Sequence, residues 1–172
     1  MNLVYRKCTL NDLYDLIEIS KTTFIAAFEQ ANNPEDFTAY IKEAFNTNTI
    51  KNQLKNPDST FVFIYLKDLL VGYYKINEGT AQNEIYDASS IELERIYVLP
   101  KFIGQGIGKH ILETIIAISK TKKVDFIWLG VWQENVAAIK FYKRCGFKIF
   151  GKHPYFLGSD EQTDYLMKFE IS

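Results

Sequence analysis

Residues 91–132 read IELERIYVLPKFIGQGIGKHILETIIAISKTKKVDFIWLGVW. Side chains alternate in character along 91–98, apolar residues recur at helical spacing over 107–121, and 126–132 is almost wholly apolar. This pattern predicts a strand, a helix and a second strand that is buried between neighbours. The helix is long enough to join two parallel strands, so this stretch predicts a parallel pair.

The rest of the chain surrounds this unit with further helices and an antiparallel sheet. Thr9 and Asp12 form a capping-box pattern that opens a first helix, and Asn33 before Pro34 opens a second. Further strands are expected at 4–7, 60–66, 70–77, 148–152 and 163–171, with a short helical turn near 50–54, a hairpin at 67–69, a polar loop over 79–90 and a helix between 135 and 146. We therefore predict a single α+β domain over 1–172, with a mixed, mostly antiparallel sheet and flanking helices.

The composition excludes several classes of function. The 172 residues have a net charge of −1, which supplies no basic field for nucleic acid or an anionic membrane. The sequence has neither a run of ~18 apolar residues nor a secretory signal, so we expect a cytoplasmic protein. Cys8 and Cys145 lack further ligands at metal spacing, which predicts two buried thiols and no metal. His110 and His153, the latter in a loop before Pro154, are expected to be structural or exposed.

Two glutamates share one face of the strand at 91–98. Strict alternation puts Glu92 and Glu94 on the same side as Ile96 and Val98, with the remaining four residues on the other side. Paired carboxylates suit general acid or base chemistry. A solvated strand face would carry the same pattern.

The segment Gly104-Gln105-Gly106-Ile107-Gly108 lies between the predicted strand and the start of the helix at Ile107. Glycines at alternate positions leave backbone N–H groups uncovered in front of the positive end of a helix, which suits a pyrophosphate. The same glycines are also typical of a flexible turn. A dinucleotide-binding fold is a weaker alternative, because its G-x-G-x-x-G pattern is not met.

Three residues of the last predicted helix fall on one face. Asn135, Ala138 and Tyr142 are spaced i, i+3, i+7 and lie near the end of the preceding strand. Taken singly, Asn135 is as well explained as an N-cap and Tyr142 as a core aromatic.

These blocks together carry a family resemblance. The sequences LERIYV at 93–98, GQGIGK at 104–109 and Asn135 with FYKRCGF at 141–147 resemble the Gcn5-related N-acetyltransferases. Over the whole chain, further segments resemble the bacterial PaiA-type spermidine/spermine acetyltransferases, including 28–30, 44–46, 127–132 and 161–164. The resemblance implies the acyltransferase fold of that family and acetyl-CoA as co-substrate.

The resemblance also implies which residues hold acetyl-CoA. Backbone groups of Ile96 and Val98 would pair with the pantetheine arm, with Tyr97 between them in the same binding stretch. Asn135 with Ala138 would hold the arm from the helix. The pyrophosphate would lie on a cradle formed by Gly104, Gln105, Gly106, Ile107, Gly108 and Lys109. Lys143 could reach a phosphate. The family usually has Gln or Arg where this chain has Ile103, so backbone amides must contribute more of the phosphate binding.

By the same resemblance, Tyr142 is the general acid at the thioester sulfur and Glu94 the base, directly or through water, with Glu92 as a substitute. No covalent enzyme intermediate is required. A small-molecule amine is the expected partner, and the resemblance favours a polyamine, with Glu29, Glu84 and Asp87 as further carboxylates. Alternatives are a protein or peptide amine, or an acyl-CoA-binding regulator without turnover. Sheet edges of this fold also permit a homodimer.

Overall fold

The computed structural model describes residues 1–85 and 87–172. Seven strands form one sheet: β1 Leu3–Lys7, β2 Ser59–Leu66, β3 Leu69–Asn77, β4 Ser90–Val98, β5 Phe126–Trp132, β6 Lys148–Leu157 and β7 Asp160–Glu170. Five α-helices flank it: α1 Leu13–Phe28, α2 Pro34–Ala44, α3 Thr47–Lys55, α4 Ile107–Lys122 and α5 Val136–Arg144. Within the described ranges, no helix is both long and apolar enough to cross a membrane.

The sheet has the order β1-β2-β3-β4-β5-β7-β6, and only β4 and β5 pair in parallel. The prediction of an α+β fold with one parallel pair is confirmed. Helix α4 connects that pair, and its lysines near the C-terminus complement the negative end of the helix dipole.

Local signals open the helices as expected. Thr9 and Asp12 make the predicted capping box, and Asn33 caps α2 through the N–H groups of Glu35 and Asp36. Asn46 caps α3, so the short turn predicted there is a nine-residue helix. The β2–β3 hairpin turns through Lys67 and Asp68, both at positive φ, as a tight two-residue turn requires.

The last hairpin differs from the prediction. Strand β6 extends through His153 and Pro154, which we expected in a loop. Because β6 lies at the edge of the sheet and pairs only with β7, Pro154 needs no N–H for a second neighbour. His153 is therefore fixed in a ladder opposite Asp164 of β7.

Apolar clusters cover both faces of the sheet. Ile111 and Ile115 of α4 pack with Ile127 and Tyr142 on one face. Helices α1–α3 cover the other face, where Leu16 and Phe63 are buried. The polar residues of the site lie between these two apolar clusters, where two neighbouring strands of the sheet separate.

That separation lies between β4 and β5. Their pairing covers only Ser90–Glu92 against residues 126–128, and beyond Glu92 the two strands diverge. The opening is the structural basis of the site, because it exposes one edge of β4 in the middle of the sheet.

A β-bulge at Glu94 corrects the predicted alternation of β4. Lys75 of β3 pairs with Arg95 and Ile76 pairs with Leu93, so Glu94 is an extra residue in the ladder. The extra residue shifts the phase of the strand. Glu92 and Glu94 do share a face, but with Arg95 and Tyr97, whereas Ile91, Leu93, Ile96 and Val98 belong to the core on the opposite face.

Candidate active site

The open edge of β4 presents the peptide groups of Ile96 and Val98. Leu99 N–H donates to the carbonyl of Val71 over 2.8 Å, and these residues face each other across β3 and β4. Hydrogen-bonded pairs alternate in an antiparallel ladder, so the N–H and C=O groups of Tyr97 point to β3. Those of Ile96 and Val98 point into the opening. An extended ligand can therefore pair with β4 there, as the sequence led us to expect of pantetheine.

The glycine segment forms a cradle at the start of α4. Gly104 and Gly106 have φ of +83° and +81°, and a Cβ added at either position would meet nothing within 4 Å. The first helical bond runs from His110 N–H to Gly106 C=O over 3.2 Å. The N–H groups of residues 107–109 therefore lack intrahelical partners and stand at the positive end of α4. This arrangement fits a pyrophosphate.

A cleft of about 760 Å³ lies beside this cradle. Of the residues predicted to hold acetyl-CoA, it is lined by Val98, Gly104, Gly106, Ile107, Gly108 and Lys109. Gln105 is exposed, and its amide donates to the Lys101 carbonyl over 3.2 Å. Lys143 is also exposed and does not line the cleft, whereas the neighbouring Arg144 does.

The two cysteines differ in burial. Cys8 is buried as predicted, but Cys145 is only half-buried and lines the cleft, which corrects the prediction of two buried thiols. Cys145 is the C-cap of α5 and packs against the edge of the core. Desolvation raises the pKa of its thiol, so the group remains protonated at neutral pH.

A second cavity, of about 440 Å³, occupies the opening between β4 and β5. Ile96, Tyr97, Asn135, Ala138 and Tyr142 all line it. Asn135 is the N-cap of α5, and its Oδ1 accepts from the Ala138 N–H over 3.2 Å. The predicted shared face is therefore confirmed, and the N-cap interpretation of Asn135 is confirmed with it.

Tyr142 is almost fully buried between the rings of Phe141 and Phe147. Burial raises the pKa of its phenol. A phenol held in its neutral form carries a proton that it can donate to a developing thiolate. The structure thus combines the core-aromatic packing of Tyr142 with a place in the cavity wall.

Glu92 is occupied by structural contacts. Its Oε2 accepts from Asn77 Nδ2 at 2.9 Å and from the Asn83 N–H at 3.0 Å, while Oε1 accepts from Asn83 Nδ2 at 2.8 Å. Burial raises the pKa of Glu92, and these donors oppose that shift. The carboxylate therefore ties the loop before β4 to the strand.

Glu94 is held by cations. It forms ion pairs with Lys75 and, at 3.4 Å, with the Arg95 Nε, and it accepts from Asn77 Nδ2 at 2.6 Å. Burial alone would raise its pKa, but Arg95 and Lys75 outweigh burial and lower the pKa to about 2. Glu94 is consequently a permanent anion at neutral pH and a weak proton acceptor.

Several residues of the cavity were missed by sequence reasoning. Strands β6 and β7 bring in His153, Tyr155 and Asp164, and α2 brings in Tyr40, whose hydroxyl makes a short hydrogen bond with that of Tyr155. The available signal was the symmetry of a hairpin that turns at Gly158 and Ser159, which pairs His153 with Asp164. Burial raises the pKa of Asp164 to about 6, against the opposing effect of His153.

Other predicted residues lie elsewhere. Glu29 and Asp87 are exposed and do not line the cavity, whereas Glu84 does. His110 is half-exposed on α4, with Nδ1 3.5 Å from Glu113. In the described part of the chain, no three His, Cys, Asp or Glu side chains converge as metal ligands would.

Comparison with known proteins gives the class of this protein. The family model for the acetyltransferase (GNAT) family matches residues 13–147. An uncharacterised N-acetyltransferase of Lactobacillus delbrueckii subsp. lactis is 35% identical over 157 residues, covering 91% of each chain. The chain belongs to the GNAT family. It is an acetyl-CoA-dependent N-acetyltransferase, and the resemblance noted in the sequence is confirmed.

More distant relatives include enzymes with named acceptors. A spermidine N(1)-acetyltransferase of Thermoplasma acidophilum is 25% identical over 153 residues, covering 87% of this chain and 90% of the relative. Among solved structures, a PaiA N-acetyltransferase of the same organism in complex with coenzyme A superposes with a TM-score of 0.77 at 23% identity. It covers 99% of each chain, and it shares the fold.

Proposed function

We propose that this enzyme acetylates a primary amine of a polyamine such as spermidine or spermine. The observation that carries the proposal is the charge of the cavity between β4 and β5. Its lining includes the carboxylates Glu84, Glu92, Glu94 and Asp164. Glu94 is paired with Arg95 and Lys75, so the other three carboxylates supply the acidic character. A flexible polycation gains most from several carboxylates spaced along one cavity.

The placement of these carboxylates on different segments also supports a long acceptor. Glu94 lies at the bulge of β4, whereas Glu84 precedes that strand and Asp164 lies on β7. A monoamine needs one such contact, but a polyamine can use several at once. The named polyamine acetyltransferases among the relatives support the same acceptor class.

Acetyl-CoA supplies an acetyl group activated as a thioester. In this proposal, the peptide groups of Ile96 and Val98 orient the pantetheine, and the cradle of residues 104–109 holds the pyrophosphate. Tyr142 donates its hydroxyl proton to the departing sulfur. One requirement is not met by these residues. The acceptor ammonium must lose a proton before its nitrogen can attack.

Glu94 has a different proposed role from the base expected from the resemblance. A carboxylate with a pKa near 2 binds protons weakly, so Glu94 is unsuited to hold the acceptor's proton. We assign it the task of balancing the buried charges of Lys75 and Arg95. Glu92, with its oxygens engaged by Asn77 and Asn83, keeps a structural role.

An acceptor comparison tests the proposed substrate. Spermidine and spermine should be acetylated with a kcat/KM well above that of a short lysine peptide, measured by thiol release and by mass spectrometry of the products. Added salt should raise KM for the polyamines, because it screens the carboxylates. Preference for the peptide would overturn the polyamine proposal, and acetyl-CoA binding without turnover on any amine would favour a regulator.

A matched pair of variants localises the effect. Glu84→Gln removes a charge from the cavity, and Asp87→Asn removes one from an exposed loop residue outside it. We expect Glu84→Gln to raise KM for spermine and to weaken its salt dependence. Asp87→Asn should leave both unchanged.

A further inference from the structure

The strand facing the opening carries a glycine where two polar groups converge. Gly130 of β5 has no side chain, and a Cβ built on it would lie 3.3 Å from Asp164 Oδ2 and 3.6 Å from His153 Nε2. All three residues line the cavity between β4 and β5. The missing side chain thus leaves room above β5 for the ends of His153 and Asp164.

The imidazole of His153 is oriented by a carboxylate. Its Nδ1 lies 3.3 Å from Glu84 Oε1, and the imidazole is 17% exposed. A carboxylate at this distance favours a proton on Nδ1. The neutral ring then presents the lone pair of Nε2 toward the space above Gly130.

His153 also lies on the correct side of the sheet. Glu92 and Glu94 face the α1–α3 side, and Asp164 is opposite His153 in the β6–β7 ladder. Tyr142 belongs to the core on the other face. The proton donor on one face and the first proton acceptor on the other therefore meet at the opening.

We propose that His153 accepts the proton that the acceptor ammonium must lose, with Glu84 orienting its ring and Asp164 binding the ammonium beside it. This inference rests on the proposed amine acetylation. The two glutamates of β4 leave this task unfilled, since Glu92 is hydrogen-bonded and Glu94 is paired with Lys75 and Arg95.

One proton moves from the ammonium to His153 Nε2, which leaves a neutral amine and an imidazolium. The nitrogen then forms a bond to the acetyl carbon, the carbon–sulfur bond breaks, and the sulfur takes the Tyr142 proton. The new amide nitrogen loses its second proton through water to the Tyr142 oxygen, and His153 releases its proton to solvent.

Acidic and phenolic groups surround His153 in the cavity. Burial raises the pKa of Asp164 to about 6, so this carboxylate is mainly ionised at neutral pH. Burial also raises the pKa values of Tyr40 and Tyr155, so both phenols stay neutral. The titratable and charged groups lining the same cavity are Glu84, Asp164, Tyr40, Tyr155, Tyr97 and Tyr142, with Glu92, Glu94 and Arg95 of β4.

The chain offers a matched control, because it contains only two histidines. We expect His153→Gln to lower kcat by about 10²–10³ at neutral pH, within the usual range for general base catalysis. The loss should shrink as pH rises, because more of the amine then arrives neutral. His110→Gln should keep both kcat and its pH profile.

Two kinetic outcomes would overturn the assignment. One is a His153→Gln enzyme with wild-type kcat and pH profile. The other is a pH-dependent loss confined to Asp164→Asn, which would identify Asp164 as the proton acceptor. Both are measured on whichever amine the wild-type enzyme acetylates best, so failure of the polyamine proposal does not obscure the result.

A spectroscopic measurement tests the geometry without turnover. In the His110→Gln protein, a long-range proton–nitrogen NMR spectrum contains one imidazole. We expect the Nδ1–H tautomer in the neutral form, and addition of spermine should shift the Nε2 resonance. The Nε2–H tautomer would overturn the proposed orientation, even if the enzyme were fully active as an acetyltransferase.

Discussion

The cleft beside α4 and the cavity between β4 and β5 are built in different ways. The cleft draws its anion-binding groups from the consecutive residues 104–109, and these groups are backbone N–H donors. The cavity draws side chains from α2, the loop before β4, and strands β4, β6 and β7. A pyrophosphate can be held by one short segment, because backbone N–H groups at a helix start recognise its charge. Recognition of an acceptor needs a particular set of side chains, which several distant segments supply.

The electrostatics of the two regions differ as well. Lys109 and Arg144 line the cleft beside the positive end of α4, which suits phosphates. In the cavity, two carboxylates have different pKa values: that of Glu94 is about 2 and that of Asp164 is about 6. Neighbouring cations account for the first value and burial for the second.

The largest effect is expected at Tyr142, which lines the cavity between β4 and β5. Tyr142→Phe removes one oxygen and keeps the ring packing, so kcat should fall roughly 10²–10⁴-fold. Acetyl-CoA affinity and acceptor KM should both change little. Steady-state kinetics with calorimetric titration of acetyl-CoA checks this, and a fully active variant would leave Tyr142 with a packing role alone.

The next largest effect is expected in the free energy of unfolding, at Glu94 in the cavity between β4 and β5. Glu94→Gln leaves Lys75 and Arg95 without their anion, and their side chains are only 5% and 11% exposed. The free energy of unfolding should fall by about 3 kcal/mol, as is typical when one partner of a buried ion pair is removed. Urea denaturation measures the loss, and Asp87→Asn serves as the exposed control. A change below about 0.5 kcal/mol would contradict the buried ion-pair assignment.

Glu94 and Asp164 predict opposite pH dependences of the free energy of unfolding. The folded pKa of Glu94 is about 2, below the ordinary 4.5, so its contribution is present above 4.5 and is lost as pH falls toward 2. The pKa of Asp164 is raised from 3.8 to about 6, so its contribution is present below 3.8 and is lost as pH rises through 6. Glu94→Gln should flatten the fall in the free energy of unfolding at acid pH. Asp164→Asn should flatten its change between about pH 4 and 6. Urea denaturation repeated at a series of pH values measures both.

A smaller effect is expected in the cleft. Gly106 has φ of +81°, where a β-branched side chain is strained by about 1–2 kcal/mol, so Gly106→Val should weaken acetyl-CoA binding about tenfold or more. Gly106→Asn tolerates this φ but still places a side chain in the cradle. Calorimetric titration should show weakened binding for both variants and unchanged acceptor KM. Unchanged affinity in both would remove the cradle assignment.

The smallest effect is expected at Asn135. Asn135→Ala removes the cap of α5 and should cost about 1 kcal/mol of stability. Asn135→Asp keeps the cap, so it isolates the pantetheine contact implied by the family resemblance. We expect a few-fold higher KM for acetyl-CoA in the Asp variant. An unchanged KM for acetyl-CoA in Asn135→Asp would show that Asn135 serves only as the cap of α5.

The sequence by itself determined the β4–α4–β5 unit, the glycine cradle and the shared face of Asn135, Ala138 and Tyr142. These features depend on periodicity and on residues within a few positions of each other. Helical spacing places residues on one face whatever surrounds the helix, and glycines permit positive φ without help from distant neighbours.

Only the tertiary structure decided which side chains form the acceptor cavity. One extra residue at Glu94 reversed the expected facing of Arg95 and Tyr97, because strand side chains have a period of two. His153 entered the cavity because β6 continues past Pro154 as an edge strand. The opposite pKa shifts of Glu94 and Asp164 arise from burial in the assembled cavity and from cations, of which Lys75 lies on the neighbouring strand β3. Register and desolvation are properties of the assembled sheet, and no local pattern in the chain contains them.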